Sequence, residues 1–400
     1  MRRAARVVVV ALAFVAAMAG VLLGDLFYRP LPTRSGHYRF LGLHQQAEVV
    51  RDDLGTAHVY ARDLHDLYFL QGYVTAQDRL AQMDALRVEA RSRLGATAQQ
   101  QVARASPALR DALDAYAQGV SKLISQYADA RALPGELVLA GRDPPAWEAA
   151  DSLAVASWYL ELLRPRSVCA IAPAARTLKG MPILAADLYD DMPKPGWYEI
   201  GIAGGDVHAV GVSLPGVPGI VAGHNGWVAW ALAPSVRPGP DPVATVDGIL
   251  QGSTAVSASG FTSAMFRSAV AACVADLQGH AGATERGRTA IVPVDRAAII
   301  GGPARAAALT APLGEARGID TEAMRLLLGV PPAGSTGARL IVDLAEVDTS
   351  KLVLSEGVSG QRASPHYRDQ APLWEIGAER ALPFSRAAMR PEGDLVLRPD

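Results

Sequence analysis

The sequence contains few of the residues on which several common functions depend. Its only cysteines, Cys169 and Cys273, are too few for a disulfide-built scaffold or a four-cysteine zinc site. A formal net charge of −2 leaves no basic surplus to neutralise a phosphate backbone, so nucleic acid is not an expected partner. Asn225 is the only asparagine. Motifs for zinc proteases, P-loops, dinucleotide sites and nucleophile elbows are also absent from the sequence.

What the chain does contain indicates a folded protein. Half of its residues are hydrophobic and 20% are charged, a composition far from that of disordered chains. Four hundred residues, at about 150 per domain, suggest two to three domains or one large sheet-rich domain.

The N-terminus has the pattern of an export signal. Three arginines, Arg2, Arg3 and Arg6, precede an uncharged run from Val7 to Leu23, whose length is at the lower limit for a bilayer span. The segment 17–19 resembles a signal cleavage site, so residues 1–24 are predicted to be either a removed signal peptide or a retained anchor. The body is therefore expected to be extracytoplasmic, membrane-anchored or secreted from a bacterium. In that oxidising compartment Cys169 and Cys273 are able to pair, although spacing alone does not show that they do.

The first part of the chain is predicted to be a hairpin followed by helices. Two short strands flank a turn signal, and apolar residues then recur at helical spacing until Gly95, which is expected to cap the helix. Ser106 and Pro107 are typical of a helix start. The predicted strands are 48–51 and 58–61, and the predicted helices are 66–94, 107–127 and 145–163.

The second part of the chain is predicted to be mainly β. Short apolar runs between Gly and Pro turns indicate stacked antiparallel sheets, with helices at 263–277 and 321–328 and Pro/Arg-rich loops at the C-terminus. The predicted strands are 182–185, 197–202, 207–214, 219–222, 227–232 and 339–344. Helices followed by a mixed β and α region predict a layered α+β body.

Three colinear blocks resemble the penicillin acylase family of amide hydrolases. The first runs from Val50 to Ala61 and on through the G-Y-V-T-A-Q-D-R-L segment 72–80 to 82–84, and is similar to the start of the family's α chain. The second, similar to the start of the β chain, comprises 176–185, 197–199, 211–219 and the G-H-N-G segment 223–226. The third, similar to the C-terminal signature, comprises 357–360, 364–367, 369–370 and 373–374.

The resemblance implies an αββα sandwich of the N-terminal-nucleophile class, here internally shortened. It implies an α-chain-like helical region at 25–166 and a β-chain-like region at 167–400, separated by autocatalytic cleavage. A chain-terminal serine is suited to this chemistry because its own α-amine, with an ordinary pKa of about 7.7 to 8.0, takes the hydroxyl proton.

Carried across position by position, the resemblance assigns the nucleophile to Ser167, with Cys169 as the alternative. Several neighbours depart from the family pattern: Arg166 replaces a glycine, Val168 an asparagine and Ala170 a tryptophan. The family's N-D-P-H-like run reads Ala-Asp-Leu-Tyr at 186–189.

The resemblance also implies residues that shape the site or stabilise an oxyanion. These are His224, Asn225 and Ala233, although the backbone donor position falls on or beside Pro234, which has no N–H. No cofactor is expected; a calcium ion is implied only through Asp241, because its partner position is Pro238. Two stretches of the longer family chain have no counterpart here, and one of them supplies the oxyanion asparagine.

Two functions from different classes follow. In the first, the protein hydrolyses carbon–nitrogen bonds in linear amides or N-acyl compounds through Ser167, after cleaving its own Arg166–Ser167 bond. In the second, it is an inactive, shortened member that binds an acylated ligand or a partner protein such as a full-length relative. In both, the membrane is an expected partner through the N-terminal segment.

Overall fold

The computed structural model describes residues 2–162, 168–190, 196–235, 288–295, 313 and 315–400. The helices in these ranges are α1 (Arg2–Tyr28), α2 (Leu64–Arg104), α3 (Pro107–Ala130), α4 (Gly135–Leu139), α5 (Ala149–Leu162), α6 (Thr321–Leu328) and α7 (Ala371–Ile376). The strands are β1 (Gly36–Phe40), β2 (Ala47–Asp52), β3 (Ala57–Tyr60), β4 (Val168–Ala172), β5 (Ile183–Asp190), β6 (Tyr198–Gly204), β7 (Val207–Ser213), β8 (Ala222–His224), β9 (Val228–Ser235), β10 (Arg288–Asp295), β11 (Thr336–Asp343), β12 (Lys351–Leu354), β13 (Arg380–Ala381) and β14 (Pro391–Pro399).

The strands form two sheets. One has nine strands in the order β1-β14-β2-β3-β6-β7-β8-β9-β10, and the other has five in the order β13-β12-β11-β5-β4. Most neighbouring strands are antiparallel, but β1 runs parallel to β14 and β3 runs parallel to β6. Because β3 and β6 come from the regions 25–166 and 167–400, these two regions share one sheet. Their division into domains stays a prediction.

The two sheets are stacked, and the alternation of side chains along β4 shows how. Cys169 and Ile171 join the main hydrophobic core, in which β4 and β5 lie against β9. Ala170 and Ala172 face the other way and join a second cluster with Met324 of α6. The five-stranded sheet is therefore covered by the nine-stranded sheet on one face and by α6 on the other.

Helix α2 covers the outer face of the nine-stranded sheet. Neighbouring residues on β6 point in opposite directions: the Tyr198 hydroxyl contacts the Val74 carbonyl oxygen on α2, whereas the Glu199 carboxylate binds Arg380 on β13. Helices α3 and α5 pack against α2. The layer order is helices, nine-stranded sheet, five-stranded sheet and helix, so the mixed α and β composition expected from the sequence is confirmed.

Several predicted elements are confirmed. The N-terminal hairpin pairs β2 with β3 in antiparallel register, with Val49 opposite Val59. The Ser106 side chain accepts a hydrogen bond from the Leu109 N–H at the start of α3, as an N-cap does. Helix α6 has the predicted bounds of 321–328. The predicted helix at 263–277 lies outside the described residues.

Three boundary predictions are wrong. Helix α2 does not end at Gly95 but continues to Arg104, because one interior glycine costs only about 1 kcal/mol and the residues after it are good helix formers. The segment predicted as a strand at 219–222 forms a strand only at Ala222–His224. The C-terminus ends in strand β14 rather than in loops, since both edges of Pro391–Pro399 find partners in β1 and β2.

Helix α1 is long and apolar enough to cross a membrane, judged by length and composition. The relevant segment, Val8–Tyr28, lies near the N-terminus, and its apolar window is not buried by the rest of the protein.

Two glycines allow α2 and α3 to approach until their backbones touch. A Cβ atom at Gly119 would lie 1.8 Å from the Phe69 carbonyl oxygen, and one at Gly72 would lie 2.2 Å from that of Tyr116. In both cases the added Cβ atom would clash with backbone atoms, so only a separation of the two helices could relieve the clash.

We expect Gly119→Ala to lower the free energy of unfolding by at least about 2 kcal/mol, because the added methyl group forces α2 and α3 apart. Gly95→Ala is the matched control on α2: its Cβ would meet nothing closer than 3.8 Å, so helix propensity should raise stability by about 0.5–1 kcal/mol. Urea unfolding followed by circular dichroism measures both. Wild-type stability in Gly119→Ala would contradict this explanation of how α2 and α3 pack.

Candidate functional site

The strand that follows the expected nucleophile position, β4, is one of the two edge strands of the described five-stranded sheet. Ser167 itself lies outside the described residues, as do Asp241, Pro238 and Cys273. Strand β4 begins at the next residue, with Val168 paired to Asp187 on β5. Cys169 is buried on the face that packs against the nine-stranded sheet.

The position that the resemblance assigns to a backbone N–H donor for the oxyanion lies on the strand that faces β4. Strand β9 contacts β4 across the sandwich and carries Ala233 and Pro234, which pair with Ala290 and Thr289 of β10. Strand β8 pairs with β9 only at Ala229 and Trp230, so the Ala233 backbone lies beyond the end of β8. The structure thus brings the strands of Cys169 and Ala233 into contact.

His224 and Asn225 fix the turn between β8 and β9. The Asn225 Oδ1 atom accepts hydrogen bonds from the N–H groups of Trp227 at 3.0 Å and Val228 at 2.8 Å. The Gly226 N–H donates to His224 Nδ1 at 3.3 Å. These contacts are those of loop-shaping residues, a role consistent with the site-shaping position that the resemblance implies.

His224 is a neutral, fully buried imidazole. Burial lowers its pKa to about 3, against an opposing effect of Asp348 and with a smaller lowering by His208. Because Nδ1 accepts from Gly226, the ring proton is on Nε2, which has no hydrogen-bond partner among the described residues. The ring of Phe384 lies over His224, with 5.0 Å between ring centroids.

A second buried group of polar residues joins the two sheets, and no pattern in the sequence indicates it. Arg380 of β13 donates to the carboxylate of Glu199 on β6, and its Nη2 atom lies 3.4 Å from Thr56 Oγ1. Burial raises the pKa of Glu199 to about 7, although Arg380 opposes the shift; Asp52 raises it further. Directly paired residues connect Arg380 with Cys169 across the five-stranded sheet, so their side chains lie on the same face of it.

The family-like blocks at the start and end of the chain meet in a buried network on α2. The Asp78 carboxylate accepts from Arg51 at 2.9 Å and from the Tyr198 hydroxyl at 2.7 Å. The next residue, Arg79, donates to the carbonyl oxygens of Val358 at 2.7 Å and Gly357 at 2.6 Å. These block residues therefore hold the fold together.

The run 186–189, where the sequence departs from the family, contains a buried ion pair. Asp187 binds the fully buried Arg339 of β11 through two contacts, Nε to Oδ1 at 2.6 Å and Nη2 to Oδ2 at 2.8 Å. The Tyr189 hydroxyl adds a hydrogen bond to Asp187 at 3.0 Å. The sequence signal that could have indicated this ion pair is Arg339 itself, a charged residue at the start of the apolar strand predicted at 339–344.

Comparison with known proteins gives the family. The penicillin amidase family model matches residues 46–97, 91–168, 167–237 and 314–391, which is more than half of the chain. The chain belongs to this family, as its sequence blocks indicate.

Individual relatives match over shorter stretches. The acyl-homoserine lactone acylase QuiP of Pseudomonas aeruginosa is 28% identical over 54% of this chain and 37% of its own length. The penicillin acylase 2 proenzyme of Pseudomonas sp. (strain SE83) is 27% identical over 50% of this chain and 38% of its own. A solved thermostable penicillin G acylase from Alcaligenes faecalis is 30% identical over 28% of this chain and 71% of that chain, with a TM-score of 0.26. The chain spans just over a third of the length of the first two relatives.

His224 should make the protein sensitive to acid. Its pKa is depressed in the folded state, so the unfolded chain binds the extra proton; the stabilisation is complete above about pH 6.5 and is lost as the pH falls toward 3. We expect His224→Asn, which keeps an acceptor at the Nδ1 position, to remove a slope of up to about 1.4 kcal/mol per pH unit in this window. Urea unfolding at several pH values measures the slope, with the exposed His37→Asn as control. Parallel profiles for wild type and His224→Asn would refute this role.

Arg339→Met should destabilise the protein by about 3–5 kcal/mol, because it leaves the Asp187 carboxylate buried without its partner. The double variant Arg339→Met/Asp187→Leu should recover part of this loss, since the Asp187 charge is removed together with its partner, whereas Glu379, 3.4 Å from Arg339 Nη1, still loses its cation. Arg325→Met, which removes a surface pair with Glu322, is the control and should destabilise the protein much less, because exposed ion pairs contribute little. A double variant as unstable as Arg339→Met would contradict the explanation.

Proposed function

We propose that this chain is an acylase-type amide hydrolase with the αββα sandwich of the N-terminal-nucleophile class. In this proposal Ser167 becomes a chain terminus when the Arg166–Ser167 bond is cleaved, and it then acts as nucleophile. The observation that carries the proposal is the coincidence of two boundaries: adjoining segments of the family match meet at residues 167 and 168, and strand β4 begins at Val168. The strand that follows this position, β4, lies at an edge of the described five-stranded sheet and packs against β9 of the other sheet, which fits this chemistry.

Cleavage and catalysis use the same hydroxyl. In the first reaction the Ser167 Oγ atom attacks the carbonyl carbon of Arg166, the peptide nitrogen leaves as the new α-amine, and water hydrolyses the resulting ester. In the second, Oγ attacks the acyl carbon of the substrate while its proton passes to the α-amine. The protonated amine then gives that proton to the leaving nitrogen, and water releases the acyl group.

The surroundings support different roles for the remaining candidate residues. The backbone near Ala233, on the strand that packs against β4, is our candidate for stabilising the oxyanion. Asn225 is assigned to shaping the turn, because its Oδ1 atom is bound by two backbone N–H groups. Cys169, buried in the main core, is assigned to packing. The Asp241 calcium position remains a prediction.

The relatives' names suggest the substrate class. One is named as an acyl-homoserine lactone acylase and others as penicillin acylases, and both names denote removal of an acyl group from nitrogen. We therefore propose N-acyl compounds with a linear amide bond as substrates. The exposed apolar helix α1 supports export, with α1 as the signal or anchor.

The test is the covalent state of the full-length protein. Intact-mass analysis of purified protein should give two chains, the second beginning at Ser167. Ser167→Ala should abolish cleavage, because it removes the attacking hydroxyl. Cys169→Ala, two residues away and similar in size, is the matched control and should cleave normally.

Activity is measured on the cleaved protein with fluorogenic phenylacetyl and fatty-acyl amides. Turnover that is lost in Ser167→Ala supports the hydrolase. A single uncleaved wild-type chain without turnover overturns it and leaves the inactive, ligand-binding member as the reading of this chain.

A further inference from the structure

Four potential metal ligands meet where the loop before β2 reaches the start of α2. His44, Asp63, His65 and Asp66 each offer one ligand atom, and the four atoms lie within 4.8 Å of one another. We propose that these residues bind a divalent transition-metal ion of the Zn²⁺ type. This inference does not rest on the proposed hydrolase activity.

Asp66 is a buried carboxylate that has no Lys or Arg partner among the described residues. Its side chain is fully buried, and its carboxylate accepts hydrogen bonds from the backbone N–H groups of His44 at 2.9 Å and Gln45 at 2.8 Å. In the part of the chain that the structure describes, its only salt-bridge partner is His65, and that of Asp63 is His44. Because buried charges in proteins are paired or coordinate metals, two carboxylates whose only charge partners within the described ranges are histidines suit a positive ion.

The separations between the ligand atoms suit a small ion. His65 Nδ1 lies 3.1 Å from Asp66 Oδ1, and His44 Nδ1 lies 3.8 Å from Asp63 Oδ2. Around a tetrahedral zinc ion with bonds of about 2.0–2.2 Å, neighbouring ligand atoms are about 3.3–3.6 Å apart, which falls between these two values. The His44 side chain is 60% exposed, so it can move to close the longer separations.

The ligand types select among metals. Two imidazoles and two carboxylates favour zinc and similar transition metals over calcium or magnesium, which prefer oxygen-only sites. Two carboxylates also neutralise a divalent ion. The positive end of α2 opposes the ion only weakly, since this helix terminus already carries Asp63 as its N-cap.

The position of the cluster indicates a stabilising role. Leu64, beside the cluster, packs near Gly205 in the turn between β6 and β7. Gly205 lies at one end of the β6–β7 pair, and Tyr198 and Ser213 lie at the other end. A bound ion would therefore tie the loop before β2 to the first turn of α2.

The test is zinc binding to the full-length protein without a polyhistidine tag, after treatment with a chelator. Isothermal titration calorimetry with zinc chloride should show one ion per chain, and cobalt should give the visible absorption of a tetrahedral site. Loss of one ligand in His44→Ala should weaken zinc binding by more than about tenfold. The exposed His37→Ala is the control and should bind as wild type does.

His44 is exposed, so its removal leaves the fold intact, and circular dichroism verifies this. His65→Gln provides an independent second variant. Thermal unfolding should shift upward with zinc in the wild type and in His37→Ala but not in His44→Ala. The proposal is overturned if the wild type binds no stoichiometric zinc, or if His44→Ala binds it as tightly as the wild type.

Discussion

The buried charges on helix α2 hold together three parts of the chain that are far apart in sequence. Asp78 is bound by Arg51 from the N-terminal hairpin and by Tyr198 from β6, while Arg79 binds the backbone at 357–358. Ions buried in this way are costly unless every partner is present, so the network favours a single arrangement of these segments. The hairpin, β6 and the C-terminal segment are thereby all attached to one helix, and this helix covers the outer face of the nine-stranded sheet.

The elements that depend on local signals could be predicted from the sequence. The hairpin of β2 and β3, the capped start of α3 and helix α6 follow from turn residues, N-caps and periodicity. The elements that depend on tertiary partners could not. Gly95 has the local appearance of a helix end, yet α2 continues through it. Strand β14 contains polar and charged residues and forms because β1 and β2 lie on either side of it.

The features of the candidate site also divide into those with a local sequence signal and those that depend on distant residues. The sequence blocks identified the family, because its motifs are encoded in contiguous residues. The Glu199–Arg380 and Asp187–Arg339 pairs join residues more than 150 positions apart and have no local signature beyond a charge in an apolar strand. Of the residues that the resemblance singled out, Arg51, Asp78 and Arg79 hold the fold together, and His224 and Asn225 shape one turn. We therefore propose the contact between β4 and β9 as the place of the chemistry.

The most direct test of this account is to trap the nucleophile. Purified protein is treated with phenylmethylsulfonyl fluoride, which sulfonylates activated serine hydroxyls, and the modified peptide is identified by mass spectrometry. The account predicts one adduct per molecule, on the Oγ atom of a Ser167 that is also a chain terminus. An intact chain without an adduct, or an adduct on another residue, would contradict it.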